Sequence, residues 1–598
     1  MATTNTPKSD KEPLGFGKTM LASAVGFIIG TVALSIISFI LCVGLLISAL
    51  SSTSGDSTPI TSKSFAVELD LSGEVSEGKA NELMTLLSDK TTTSLSDLLC
   101  AIDHATTDDR VKALYLHFGG SMLSWAQAEE LQEAIKLYKE SGKPVVAYGE
   151  AMTQPEYFLA TTADKVCVHP SGVIDFRGMG AEVMFYKGLL DKLGVHMELI
   201  RPTSCAYKSA GEVYTRTDMS AANREQVHSY INSIWDYVLG VMAENRNLTP
   251  EELNRVADNL SGYLPADALQ ARLIDTLCFA QDVKSLLKKR YDADKLIKAK
   301  RYAKDAKMEE KADRIAVIYA EGNVVPGKSE GTTTAVYGDD IVKAIGDAVK
   351  DKKVKAIVLR VNSPGGAVTA SESMTHAVVE AKKEKPVIVS MSGLAASAGY
   401  EISCFGTKIV AHPTTLTGSI GVFATIPEVG NLLRQKLGIT TDTVMTNRNS
   451  TGLSIMRPLS NDARAMLQKN VEDFYITFTQ RVADGRGLTR EYVDSIAKGR
   501  VWTGLQAKEI GLVDTLGGMT LALHIAAEEA GIDFDKCSVK VFPAEKSLWE
   551  MMMKKMNESE EEKINARLNS IIPFYSELVE WSGMEPLQAR LPFAIRID

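Results

Sequence analysis

Residues 352–366 read KKVKAIVLRVNSPGG, and residues 109–117, DRVKALYLH, repeat the first nine of them with conservative changes. Each stretch opens on charged residues and runs into a nearly unbroken apolar segment rich in β-branched types. That is the pattern of a strand buried on both faces, as in a parallel sheet covered by helices. The offset between the two copies is 354 − 111 = 243 residues. Working outward, further matches fall close to that spacing: DKVCVHP at 164–170 with TKIVAHP at 407–413, and KPVV at 143–146 with KPVI at 385–388. Leu189, Leu190, Leu193 and Gly194 find Leu432, Leu433, Leu437 and Gly438, while LTPEE at 248–252 finds LTREY at 488–492. LIDTL at 273–277 finds LVDTL at 512–516. A repeat of about 240 residues is far too long for a solenoid unit and indicates a duplicated domain.

Within the second copy, 315–319, 357–361, 387–390 and 409–411 read as strands, with an amphipathic helix over 368–383 between two of them. Strands alternating with helices predict βαβ units. The expected fold class is therefore α/β, with two tandem domains from an internal duplication. The expected divisions are a tail (1–19), an apolar segment (20–50), a linker (51–64), the first repeat (65–300), the second repeat (301–546) and a C-terminal tail (547–598) with a helix over 548–572. The charged stretch 288–311 reads as the connector between halves.

Residues 21–50 contain no charged residue. Thirty helical residues span about 45 Å, more than the hydrocarbon core of a bilayer, whereas the apolar part of a cleaved secretory signal is usually shorter. The segment predicts one N-terminal transmembrane signal-anchor. Lys8, Lys11 and Lys18 precede it and the next basic residue is Lys63, so the N-terminus is expected in the cytoplasm and the remainder outside.

The 598 residues carry a formal net charge of −9, which offers no electrostatic basis for nucleic-acid binding. The seven cysteines form no C-x-x-C pair and the eight histidines no close pair, so neither a metal site nor a disulfide framework is indicated, and no cofactor is called for. Two motifs read as decoys. GNVVPGKS at 322–329 fits a phosphate loop and GKSEG at 327–331 fits a nucleophile elbow, but both must open into a helix and EGTTT at 330–334 is a poor helix start. No nucleotide partner is expected.

Chemistry gathers in the second half. Ser363-Pro364-Gly365-Gly366 lies between a strand and a helix, where glycines let backbone N–H groups approach a ligand as an oxyanion hole. By itself the same turn serves equally as a tight corner. Ser397, in GLAASAGY at 393–400, also follows a strand, and its small neighbours would admit a substrate backbone. A serine in such a segment is more often packing or a cap.

Together, the S-P-G-G turn, the A-A-S-A-G-Y segment and TGSIGV at 417–422 resemble the signal peptide peptidase A (protease IV) family in its long, duplicated, membrane-anchored form. The resemblance covers nearly the whole chain, and each half resembles the Clp protease and crotonase superfamily. It implies Ser397 as nucleophile and Lys208, in YKSAGE at 207–212, as general base. It also implies Ser419 as the serine that hydrogen-bonds the lysine, and Gly365 and Gly366 as the oxyanion turn.

The repeat divides the labour independently. Subtracting the offset from Ser397 lands on Gln154, and Tyr400 lands on Tyr157. Adding it to Lys208 lands at Thr451 or Gly452, and Phe118-Gly119-Gly120-Ser121 stands where S-P-G-G would be. Neither half holds a complete site. A lysine acts as base near neutral pH only when desolvation keeps its amine neutral, and such a pair needs no Asp or His.

The resemblance thus implies a Ser/Lys endopeptidase that degrades cleaved signal peptides and other apolar peptides at the outer face of the cytoplasmic membrane, as a homo-oligomer, tetrameric in the long form. A crotonase-type acyl-CoA enzyme and a catalytically silent membrane scaffold are the alternatives.

Overall fold

The computed structural model describes residues 60–78, 92–305, 311–329, 335–543 and 588–590, with Phe27, Thr31, Leu34 and Ser38. The expected anchor and the expected tail helix lie otherwise outside these residues. Among the described residues, no helix is long and apolar enough to cross a membrane.

The two halves repeat one sheet. In the first, six strands lie in the order Thr276–Leu277, Lys165–Ile174, Val145–Met152, Val111–Phe118, Phe65–Leu71 and Lys295–Lys298, all parallel. In the second, Thr515–Leu516, Lys408–Ala411, Val387–Ala396, Val354–Ser363, Asp313–Glu321 and Cys537–Phe542 follow the same order, again parallel. The strands extend past the apolar runs that signalled them because ladder pairing continues into flanking polar residues.

Repeated sequence matches produce repeated bonds. Tyr157 Oη donates to the Leu273 carbonyl at 2.9 Å, and Tyr400 Oη to the Leu512 carbonyl at 2.9 Å. The Asp of each L-[IV]-D-T-L match accepts from a strand amide, Val166 N to Asp275 and Ile409 N to Asp514, both at 2.7 Å. Each also binds an arginine from the long helix of its half, Arg246 or Arg486. The lysine of each K-P-V motif donates to the carbonyl ending a preceding helix, Lys143 to Asp108 and Lys385 to Asp351.

One expectation needs amendment. The stretch 288–311 does more than connect: Lys295–Lys298 forms the edge strand beside Phe65–Leu71, and the helix Ala299–Asp305 buries Ala299 and Tyr302. Its few apolar residues sit where one face of each element needs them, which a charge-dominated reading hides. In the C-terminal tail, past the expected helix over 548–572, the backbone of Gln588–Arg590 is a strand, antiparallel to Gly365–Ala367.

Among the contacts that join the halves are a strand pair and a buried ionic network. His196–Ile200 pairs antiparallel with Ala424–Glu428. Arg360 is 1% exposed and holds two carboxylates of the first half, Glu77 at 2.8 Å and Glu130 at 2.5 Å, with Ser390 Oγ at 2.9 Å. The guanidinium and His412 hold the buried Glu130 carboxyl down at about 2 against the effect of burial. Removing one member of so buried a network leaves a charge unpaired.

Candidate active site

Ser397 stands between the strand Val387–Ala396 and the short helix Ala398–Glu401, with φ 59° and ψ −118°. A non-glycine residue in this strained region survives only where its surroundings fix it. Here the Ser397 amide donates to the Gly418 carbonyl at 2.8 Å, tying the corner to the neighbouring strand Leu416–Gly418. Ser419 follows that strand, also at positive φ (48°), its amide bonded to the Arg500 carbonyl at 2.7 Å.

Lys208 arrives from the other half and is fully buried. Its Nζ lies 2.8 Å from Ser397 Oγ, 2.8 Å from the Ser419 carbonyl and 3.0 Å from Ser419 Oγ. Burial lowers its pKa from 10.5 to about 7, opposed only weakly by the Cys205 thiol, which burial itself pushes up to about 12. Gly499, at φ +80°, fits against the lysine backbone so closely that a Cβ there would stand 2.6 Å from Lys208 N and Cβ. The backbone of the lysine is thus seated against a glycine that the motifs did not single out; a glycine after Lys498 carries no signal of a partner in the other half.

The S-P-G-G turn lies beside the serine. Ser363 pairs with Ala395, two residues before Ser397, and a Cβ on Gly399 would come within 2.8 Å of the Ser363 carbonyl. Gly365–Ala367 forms a short strand instead of a free turn, because Gly366 pairs with Val324 so tightly that a Cβ would sit 2.1 Å from the Val324 carbonyl. The Gly365 amide donates to Ser363 Oγ at 3.2 Å. All five expected site residues therefore fall on adjoining segments around Ser397.

The matching position of the first half is plugged. Gln154 Oε1 accepts from Arg177 N at 3.2 Å and Gly178 N at 3.0 Å, while its Nε2 donates to the Gly178 carbonyl at 3.0 Å. Residues 451 and 452, facing Lys208 in the repeat, lie in a turn. In the lookalike segment 322–329, Asn323–Val325 is a strand, Ser329 N donates to Asp340, and the next described helix begins at Gly338.

The model of Peptidase family S49 matches residues 138–294 and 379–533, once in each half, and a Clp protease model matches 292–416. The chain is 37% identical to Protease 4 of Salmonella typhi over 80% of this chain and 79% of that protein. It is 33% identical to Protease 4 of Haemophilus influenzae over 81% and 82%, respectively. It is 29% identical to the chloroplastic serine protease SPPA of Arabidopsis thaliana over 72% of this chain and 65% of that one. With matches in both halves and relatives aligned over most of their length, the chain belongs to Peptidase family S49 and is a serine protease.

Proposed function

We propose that the protein is a Ser/Lys endopeptidase, anchored by residues 20–50, that degrades cleaved signal peptides at the outer face of the cytoplasmic membrane as a homo-oligomer. The observation that carries the dyad is the 2.8 Å approach of a fully buried lysine amine to Ser397 Oγ.

The surroundings of that amine favour its action as a base. The Ser419 carbonyl can only accept a hydrogen bond. Ser419 Oγ lies 3.3 Å from the Gly499 carbonyl and donates there, so toward Lys208 it accepts. Those two acceptors take both N–H groups of a neutral amine and leave its lone pair for the Ser397 hydroxyl. With a pKa near 7, a substantial fraction of the amine is neutral at physiological pH.

In the proposed reaction Ser397 Oγ attacks the scissile carbonyl carbon while Lys208 takes the hydroxyl proton. The developing oxyanion is met by backbone N–H of the Gly365–Gly366 turn. Collapse expels the amine of the C-terminal fragment, which receives the proton from Lys208. Water then attacks the acyl-enzyme, losing its proton to Lys208, and the second collapse returns that proton to Ser397 Oγ. An extended substrate fits this site: Gly365–Ala367 already accepts an antiparallel strand, Gln588–Arg590, in the manner of β-augmentation. Apolar signal peptides released in the bilayer suit an enzyme held at its surface.

The test is hydrolysis of an apolar peptide by purified Ser397→Ala and Lys208→Ala. Each is expected to lose at least about a thousandfold in kcat with folding intact. Near-normal turnover by either would exclude the dyad. Loss of extracytoplasmic activity of a reporter fused after Asp598 would exclude the orientation.

A further inference from the structure

Lys208 and Ser397 belong to different halves, and a 2.8 Å contact between them survives only if something fixes the lysine loop to the serine's sheet. Several side chains cross that junction, and one of them is bonded on both flanks of the lysine. Gln226, fully buried on the helix Ala221–Arg246, donates through Nε2 to the Tyr207 carbonyl at 3.0 Å and to Ser209 Oγ at 3.0 Å. These are the residues immediately before and after the lysine. Its Oε1 accepts from Val501 N at 3.2 Å. Val501 opens the strand Val501–Thr503 and pairs with Gly418, the residue before Ser419. A single amide is thus bonded to both flanks of Lys208 and to the strand paired with the one that leads into Ser419.

The polarity of that amide is fixed. A backbone carbonyl only accepts and a backbone N–H only donates, so nitrogen must face Tyr207 and oxygen must face Val501. Asn223, one helical turn earlier and 1% exposed, joins the cluster by accepting from Ser209 Oγ at 2.9 Å.

We infer that Gln226 is the positioning residue of this enzyme, the clamp that sets the Lys208–Ser397 distance and keeps water from the amine. This rests on the Ser/Lys reading above. The charged and titratable groups around the lysine are few. Cys205 shares its loop and stays a thiol. Arg201 donates to the Lys208 carbonyl at 2.8 Å and faces Glu212. Tyr207 points away to Glu225 and Arg500, and from Lys498 only the backbone carbonyl engages, through Tyr207 N. No carboxylate touches Nζ among the described residues, so water exclusion governs its basicity. Loosening the clamp admits water and returns the amine toward its ordinary, higher pKa.

The experiment compares Gln226→Leu, of similar size without the amide, and Gln226→Glu, isosteric but with oxygen facing the Tyr207 carbonyl, in the full-length enzyme in detergent. Both are expected to lower kcat at pH 7 by about tenfold or more, with KM within about twofold. The acid limb of kcat against pH should move to higher pH by about one unit, further for Glu because its charge favours the ammonium. Simple destabilisation would lower activity at every pH without moving the limb. Should either variant fail to accumulate, Ser209→Ala, which removes the two bonds that Ser209 Oγ makes to Gln226 and Asn223 but keeps the Gln226 bonds to Tyr207 and Val501, is expected to shift the limb in the same direction by less. An unmoved limb in the folded variants, or a change in KM alone, overturns the inference. Lys208→Ala is run alongside: if it is active, the Ser/Lys reading itself fails, whereas an inactive Lys208→Ala with unmoved limbs sinks only the role of Gln226.

Discussion

Ser397 and Lys208 are 189 residues apart in the chain and 2.8 Å apart in space, and each faces a blank in the other's half. Gln154 fills the position of the serine with three backbone hydrogen bonds, and an ordinary turn replaces the lysine loop. On the proposed Ser/Lys reading, duplication followed by complementary loss yields one site per chain. It also makes the contact between halves a condition of the chemistry.

The two serines around Lys208 have unequal tasks. Ser419→Ala removes an acceptor that orients the amine but no reacting atom. We expect kcat to fall by about 10- to 100-fold with KM unchanged, well short of the loss in Ser397→Ala. Steady-state kinetics on one peptide substrate decides it, and equal losses in the two variants would contradict the assignment.

Burying the lysine costs stability, and the sign follows from its pKa. The folded value of about 7 lies below the ordinary 10.5, so the folded state resists protonation. The penalty is full below pH 7, fades between 7 and 10.5 and is absent above. Lys208→Met should therefore unfold at higher temperature than the wild type at pH 6, with an advantage of up to about 3–5 kcal/mol that shrinks as pH rises. Calorimetry at pH 6 and pH 10 checks this, and a variant less stable at pH 6 refutes it.

Arg360 holds the halves through Glu77 and Glu130. Arg360→Met leaves both carboxylates buried without their cation and should destabilise the protein by about 3–5 kcal/mol. Adding Glu77→Gln and Glu130→Gln to it should restore part of that loss. Denaturant midpoints of the single and triple variants test this, and an unchanged midpoint in Arg360→Met would show that the network is not what joins the halves.

Because the lysine and serine of one chain already meet, subunits should not complement each other. Co-assembled Lys208→Ala and Ser397→Ala chains are expected to recover essentially no hydrolysis. Substantial recovery would mean that the dyad is shared between neighbours in the oligomer.

Much of this was legible in the sequence because duplication prints each structural bond twice. The matched tyrosines, the matched aspartates and the strands at Val111 and Val354 follow directly from the repeat. Ser397, Lys208, Ser419 and the two glycines were legible through family motifs. What stayed hidden depends on contacts between halves. Arg360 lies within an apolar strand whose pattern says nothing of Glu77 or Glu130, and Gln226 reads as any polar helix residue until the fold places Val501 against it. The edge strand Lys295–Lys298 was masked by its lysines, since a strand at a sheet margin needs only one apolar face.

The most direct test is acylation by a serine-directed probe, followed by peptide mapping, in the wild type and in Lys208→Met across pH 5 to 9. Label is expected on the peptide containing Ser397 alone, with a labelling rate that rises with an inflection near pH 7 and negligible label in Lys208→Met. Label on another serine, or an unchanged rate and pH profile in Lys208→Met, would contradict the dyad.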